Sequence, residues 1–204
     1  INSVLCNLIV ENGISVVVLA EYSANINDLI ELLGSCGVSM KQIHTVGCDR
    51  IHMLGKVGLR VEPQLQTDRS SVQVIDDNII LCGVHLNSQI YSDNAERREI
   101  DIEQIVANLL SLETELGTKN TIIVGDFNIN PYDKTCISAR FFHGIPIFED
   151  AMRETRTVAG KEFHMFYNPM WNFLGDFTKP YGTYYRRSCL LYTSDAADDG
   201  ESVD

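Results

Sequence analysis

Apolar residues at positions 1, 4, 5, 8 and 9 trace a helical stripe along Ile1–Val10, and Asn12-Gly13 supplies a left-handed stop. Val16–Ala20 is a β-branched apolar run too short for a helix, so it predicts a buried central strand with Glu21 at its carboxyl end. Asn27 is placed to cap a short helix through Leu33 that Gly34 ends. Extended segments are expected around Ile43–Val46, Ile51–Val61 and Val72–Ile75, with Asp77-Asn78 turning into the next strand.

Ile79–Leu86 is again apolar and strand-like, with His85 near its end. From Asn94 to Leu116 the apolar positions 100, 102, 105, 106, 109, 110, 112 and 116 predict a long amphipathic helix. Thr121–Val124 reads as a third buried strand, and Gly125-Asp126-Phe127-Asn128 follows at its end. Beyond Pro131 the pattern weakens to short helices near Lys134–Arg140 and Glu149–Arg153 and an aromatic-rich loop from Phe163 to Tyr185, with no internal repeat. Helix, strand and polar tip alternate, which argues for an α/β layered core.

With 204 residues, 45% of them hydrophobic, the chain suits one domain with a sizeable core. No run approaches the roughly 20 apolar residues that span a bilayer, so no transmembrane segment is expected. Six cysteines are scattered without a CxxC pair, and Cys82 sits inside an apolar run like a small hydrophobe, which reads as reduced thiols. A cytoplasmic monomer is the favoured reading, and the absence of Met at position 1 leaves a leader upstream of Ile1 open.

The formal charge is −12, of which five acidic residues fall in 189–204 with no Lys or Arg to offset them, so residues 1–188 carry −7. An acidic surface does not itself hold a phosphate backbone, because nonspecific nucleic-acid affinity comes mainly from Lys and Arg releasing counterions. Extended duplex binding is therefore disfavoured.

The tail changes the domain picture. Cys189–Asp198 resembles a translation of a common transposase sequencing adapter, TGT CTC TTA TAC ACA TCT GAC GCT GCC GAC, and Asp199–Asp204 fits the continuation through a variable index to Val-Asp. Residues 189–204 are accordingly read as an adapter artefact and set aside, leaving 1–188 as a partial domain open at both ends.

Four polar residues, Glu21, His85, Asp126 and Asn128, stand at or near the carboxyl ends of three expected strands, the edge where sites assemble in layered α/β folds. Emerging from an apolar strand, Glu21 would carry a buried charge unless it met a cation. A carboxylate pair from Glu21 and Asp126 suits a hard cation such as Mg²⁺, with Mn²⁺ as the other candidate. For phosphoester hydrolysis such an ion offsets charge on the phosphorus oxygens, a base aligns the attacking water, and a histidine steadies the pentacovalent centre. Asp126 and His85 suit those last two tasks.

Gly125-Asp126-Phe127-Asn128 resembles the GDFN motif of the endonuclease/exonuclease/phosphatase (DNase I-like) superfamily. Ala20-Glu21 resembles its strand-end Glu, and Val84-His85-Leu86-Asn87-Ser88 its strand-end His segment. Order and spacing agree over about residues 4–187. The resemblance implies a four-layer α-β-β-α sandwich, incomplete here, with two mixed sheets face to face. It also implies metal-assisted attack of water on phosphorus: Glu21 and Asp126 at the metal, Asp126 orienting or deprotonating the water, Asn128 holding water or phosphate, and His85 at the scissile phosphate.

The substrate class that follows is a phosphoester: nucleic acid, phospholipid headgroup or small phosphate ester. The family's first-strand Asn would precede Ile1 and its closing Asp-His pair would follow Arg187, while Ser194-Asp195 only mimics the latter inside the adapter. Without that His, the general acid/base, this chain is expected to be nearly inactive and the function to belong to its parent. The rival reading is a noncatalytic binding module on the same fold, and a secreted effector would need a leader.

Other candidates read as structural. Asn87 and Ser88 are expected to shape the loop after His85, with contact to phosphate as the alternative. Arg97 and Arg98 open the long helix against its dipole and are expected on a solvated face, with an anionic partner for one of them as the alternative. Tyr167–Asn172 covers a substrate or caps the core, and with Gly182-Thr183-Tyr184-Tyr185 it resembles uncharacterised bacterial members of the superfamily.

Overall fold

The computed structural model describes residues 1–88 and 92–173, with side chains described from residue 95 onward in the long helix. The described residues divide into two compact units, 1–85 with 109–125, and those within 86–108 with 126–173. The expected adapter segment 189–204, and Gly182–Tyr185 with it, lie outside the described residues. Among the described residues no helix is long and apolar enough to cross a membrane.

In the first unit, α1 (Asn2–Glu11) leads into β1 (Val16–Ala20), followed by α2 (Ile26–Ser35), β2 (Met40–Ile43), β3 (Ile51–Lys56), β4 (Val61–Gln66), β5 (Ser70–Ile75) and β6 (Ile79–His85). The long helix α3 (Ser92–Leu116) and strand β7 (Thr121–Asp126) both run across the division. A three-stranded sheet has the order β1-β3-β2 and is antiparallel throughout. A second, four-stranded sheet has the order β4-β5-β6-β7. Its β4, β5 and β6 are antiparallel. Ile80 N donates to Asn120 O and Leu86 N to Asp126 O, a register that advances in the same sense on both strands, so β6 and β7 run parallel and only this sheet is mixed.

The two sheets face each other, and β1 shows why its run is apolar at every position. Val17 and Leu19 pack with Cys6 and Ile9 of α1 and Leu29 and Leu33 of α2. Val16 and Val18 point the other way, to Ile51 and Met53, and a Cβ on Gly83 of β6 would lie 2.5 Å from Met53 Cε and 3.0 Å from Val18 Cγ1. Both faces are covered, as the apolar run requires. The expectation of a buried central strand is corrected in one respect: β1 is an edge of its sheet among the described residues and is only half-buried. Thr121–Val124 is likewise not buried, with Ile122 exposed and the other three residues half-buried, because β7 is also an edge among the described residues.

A polar bridge crosses between the sheets. Gln73, fully buried, donates from Nε2 to His44 O at 2.9 Å and to Ser71 Oγ at 3.0 Å. Beyond the second sheet, buried Glu113 of α3 accepts a hydrogen bond of 2.5 Å from Thr121 Oγ1 at the start of β7.

The bounds of α2 differ from the sequence expectation at both ends. Asn25, not Asn27, caps α2, its side chain accepting from Asn27 N at 3.0 Å. Gly34 continues the helix and Gly37 ends it: at φ 81, its N–H reaches Gly34 O while Val38 N reaches Leu33 O, the paired bonds of a Schellman stop. The single extended segment expected over Ile51–Val61 is instead β3, a turn and the start of β4, whose mostly exposed residues and Pro63 suit an edge strand.

The second unit holds the start of α3, then α4 (Lys134–Ile137), β8 (Gly144–Ile145), α5 (Phe148–Ala151), β9 (Thr155–Val158), β10 (Lys161–His164), β11 (Phe166–Tyr167) and a 3-10 turn at Pro169–Phe173. Part of the expected aromatic loop is thus strand. β9 and β10 form a hairpin, and β11 pairs parallel with β8. Its interior gathers Phe141 and Phe142, with Phe127 edge-on to Phe142 at 5.4 Å. Arg140 pairs with Glu103 and holds that carboxyl below its usual range, and Lys134 reaches Glu99 at 2.7 Å.

Leu33 is fully buried where α2 meets α1 and the first sheet. Leu33→Ala is expected to cost about 2–5 kcal/mol in urea unfolding. A loss below about 1 kcal/mol would mean that α2 does not cover this sheet.

Candidate metal centre

The site starts from the ends of β1, β6 and β7. Glu21 leaves β1 in a left-handed conformation, φ 54, uncommon for a residue with a Cβ. That turn carries its carboxylate out of the core: the side chain is 60% exposed, which corrects the expectation of a buried charge. Its Oε1 lies 3.5 Å from His85 Nε2, and the His85 side chain is 9% exposed. His85 is anchored by its own N–H to Arg69 O at 2.9 Å, while its buried Nδ1 has no hydrogen-bond partner among the described residues.

β7 is brought to β6 by Gly125. At φ 140 this residue occupies a region that side chains avoid, and an added Cβ would stand 2.0 Å from Val84 O and 2.9 Å from Val84 N. The glycine of the motif is therefore a condition for the two backbones to approach just before His85 and Asp126.

Asp126, the last residue of β7, accepts Asn128 N on Oδ1 at 3.1 Å, an Asx turn that fixes the carboxylate's orientation. Asn128 has φ 50 and is 3% exposed. Its Nδ2 donates to Leu86 O at 2.9 Å, which sets the amide's orientation, because the reversed amide would put oxygen against oxygen. Its Oδ1 is buried without a protein partner among the described residues.

One ligand atom from each of Glu21, His85 and Asp126 lies within 4.8 Å of the other two. Two oxygens on opposite sides of Mg²⁺ are separated by about 4.2 Å, given bonds of about 2.1 Å, so the cluster fits one hard ion with direct or water-mediated carboxylates. The hard donors are the carboxylates, and the imidazole suits a place beside the ion more than on it. Of the four sequence candidates, three converge in this cluster, and Asn128 ties the end of β7 to the residue after His85.

Sequence reasoning missed the support behind the His85 loop. Arg98, expected on a solvated face, is 8% exposed and donates from Nη1 to Asn87 O at 3.0 Å. Asn87 Nδ2 in turn reaches Asp101 Oδ2 at 3.3 Å, so the expected loop-shaping role of Asn87 is seen, whereas Arg97 is exposed. A basic residue opposing the dipole in the first turns of a helix was the available signal. In the second unit, Asn168 donates to Cys136 Sγ at 3.2 Å, which ties the Tyr167–Asn172 segment to α4, and Asn172 donates to Tyr167 Oη at 3.1 Å within the segment.

No protein-family model matches the chain, and no curated protein matches it. Among solved structures, the human Nocturnin catalytic domain with bound sulfate is similar at 13% identity and a TM-score of 0.47, covering 68% of this chain and 62% of that one. ANGEL2, a 2′,3′-cyclic phosphatase, is similar at 17% identity and a TM-score of 0.44, covering 78% of this chain and 53% of that one. This chain thus spans less than two thirds of the length of either.

Gly125→Ala is expected to cost roughly 3 kcal/mol or more in urea unfolding, from backbone overlap and an unfavourable φ together. A loss under about 1 kcal/mol would mean that β6 and β7 do not approach in this way.

Proposed function

We propose that the protein carrying this chain is a Mg²⁺-dependent phosphoester hydrolase of the endonuclease/exonuclease/phosphatase superfamily. The observation that carries this reading is the convergence of Glu21, His85 and Asp126 from three separate strand ends. The match of Gly125–Asn128 to GDFN supports it from the sequence side.

Glu21 and Asp126 would hold the ion, whose contribution is to neutralise charge building on the phosphorus oxygens. Asp126, with Oδ1 fixed by Asn128 N, presents its other oxygen to a water and takes its proton as the water attacks phosphorus. His85, whose Nε2 lies 3.5 Å from Glu21 Oε1, would face the phosphate oxygens. Asn128 holds the two strand ends in register through Leu86 O and offers its unpaired Oδ1 to a water. The substrate is a phosphoester, and the acidic charge of the chain favours compact substrates over extended duplexes.

Hydrolysis of bis(p-nitrophenyl) phosphate is expected with Mg²⁺ or Mn²⁺, assayed on the protein carrying this chain. Asp126→Asn keeps the acceptor for Asn128 N, and Glu21→Gln alters an exposed group, so both variants should fold and lose roughly 10²-fold or more in kcat/KM. Rates unchanged by EDTA, or by either substitution, would refute the metal-assisted reading.

A further inference from the structure

Five of the cysteines are free thiols in the described structure, and two of them face each other. Cys6, buried in the middle of α1, has its Sγ 3.5 Å from the Sγ of Cys36, the exposed residue that caps the C-terminal end of α2. Thirty residues separate them in the chain, so the pair is a product of how α1 and α2 pack. From this geometry we propose that Cys6 and Cys36 form a thiol–disulfide exchange site, closing to a bridge that braces α1 on α2 when the protein meets a small-molecule disulfide such as oxidised glutathione. The inference is independent of the hydrolase reading.

The asymmetry of the pair assigns the order of events. Exposed Cys36, as thiolate, attacks one sulfur of the small disulfide, forming a mixed disulfide and releasing one thiolate, which takes up a proton. Cys6 then gives its proton to solvent, attacks Cys36 Sγ and expels the second small thiol. Two protein thiols are oxidised, one small disulfide is reduced to two thiols, and no other reactant is consumed. The gap of 3.5 Å must close to about 2.05 Å, which a rotation of the exposed Cys36 side chain would supply.

The other described thiols are poorly placed for the same chemistry. Cys82 is fully enclosed and burial pushes its thiol up to about 12, while burial pushes Cys136 up to about 11; burial raises Cys6 as well, which is why it follows the exposed Cys36 in the order of attack. Cys6 belongs to the cluster that also holds Ile9, Tyr22, Leu29 and Leu33, and Asn2 of α1 accepts a 2.7 Å hydrogen bond from Tyr22, the residue after Glu21. A bridge at Cys6 therefore restrains the helix that packs over the root of the Glu21 turn.

The test uses the full 204-residue chain, folded, exposed to oxidised glutathione and then alkylated. Because no Lys or Arg precedes Lys41, cleavage after Lys leaves both cysteines on one peptide, residues 1–41. That peptide is expected to lose two hydrogens in mass without retaining glutathione, and the Tm to rise by on the order of 5–10 °C over the reduced chain. Cys36→Ser, an exposed change, should abolish both effects, and Cys6→Ala should instead hold glutathione on Cys36. A lasting glutathione adduct on Cys36 in the unsubstituted chain, a bridge to a second chain, or a bridged chain with unchanged Tm would overturn the proposal.

Discussion

The candidate centre depends on one close approach between backbones. Gly125 lies so near Val84 that no side chain fits between them, with an added Cβ 2.0 Å from the carbonyl oxygen. Overlap of that size is more than side-chain rearrangement relieves, since the obstacle is main chain on both sides. The approach sets the parallel strands β6 and β7 so that His85 and Asp126 emerge at adjacent strand ends. The motif's glycine is thus as much a part of the candidate centre's construction as its aspartate.

Around that approach the polar residues form two linked tiers. Asp126 and His85 stand with Glu21 as the groups that could meet an ion or a phosphate. Behind them Asn128 fixes Leu86 O, and Arg98 fixes Asn87 O, so the loop after His85 is held at consecutive residues. Asn128 serves both tiers, because the same side chain that binds the loop leaves an unpaired oxygen buried beside it. An unpaired buried acceptor costs about 1–3 kcal/mol, a cost that proteins commonly carry where function requires it.

Much of this was legible in the chain. β1 and β6 announced themselves as apolar runs because both of their faces are covered, and the long helix did so by its stripe. What pattern does not encode is which strand lies at an edge. For that reason Val16–Ala20 was expected to be central, and Glu21 to be buried, although a left-handed turn at an edge leaves its carboxylate in solvent. β4 escaped notice because an exposed edge strand with a proline carries no apolar period. Arg98 was misread because its partner is a main-chain carbonyl on another segment, which no local spacing reveals. The short strands of the second unit, two to four residues each, fall below the length at which periodicity exists.

The central claim is that an ion sits at the ends of these three strands, and paramagnetic broadening by Mn²⁺ in the NMR spectrum of the five histidine rings reads its position directly. At low Mn²⁺, the ring signals of His85 are predicted to broaden first, with recovery on adding EDTA. Broadening of His44, His52, His143 or His164 ahead of His85 would contradict the account.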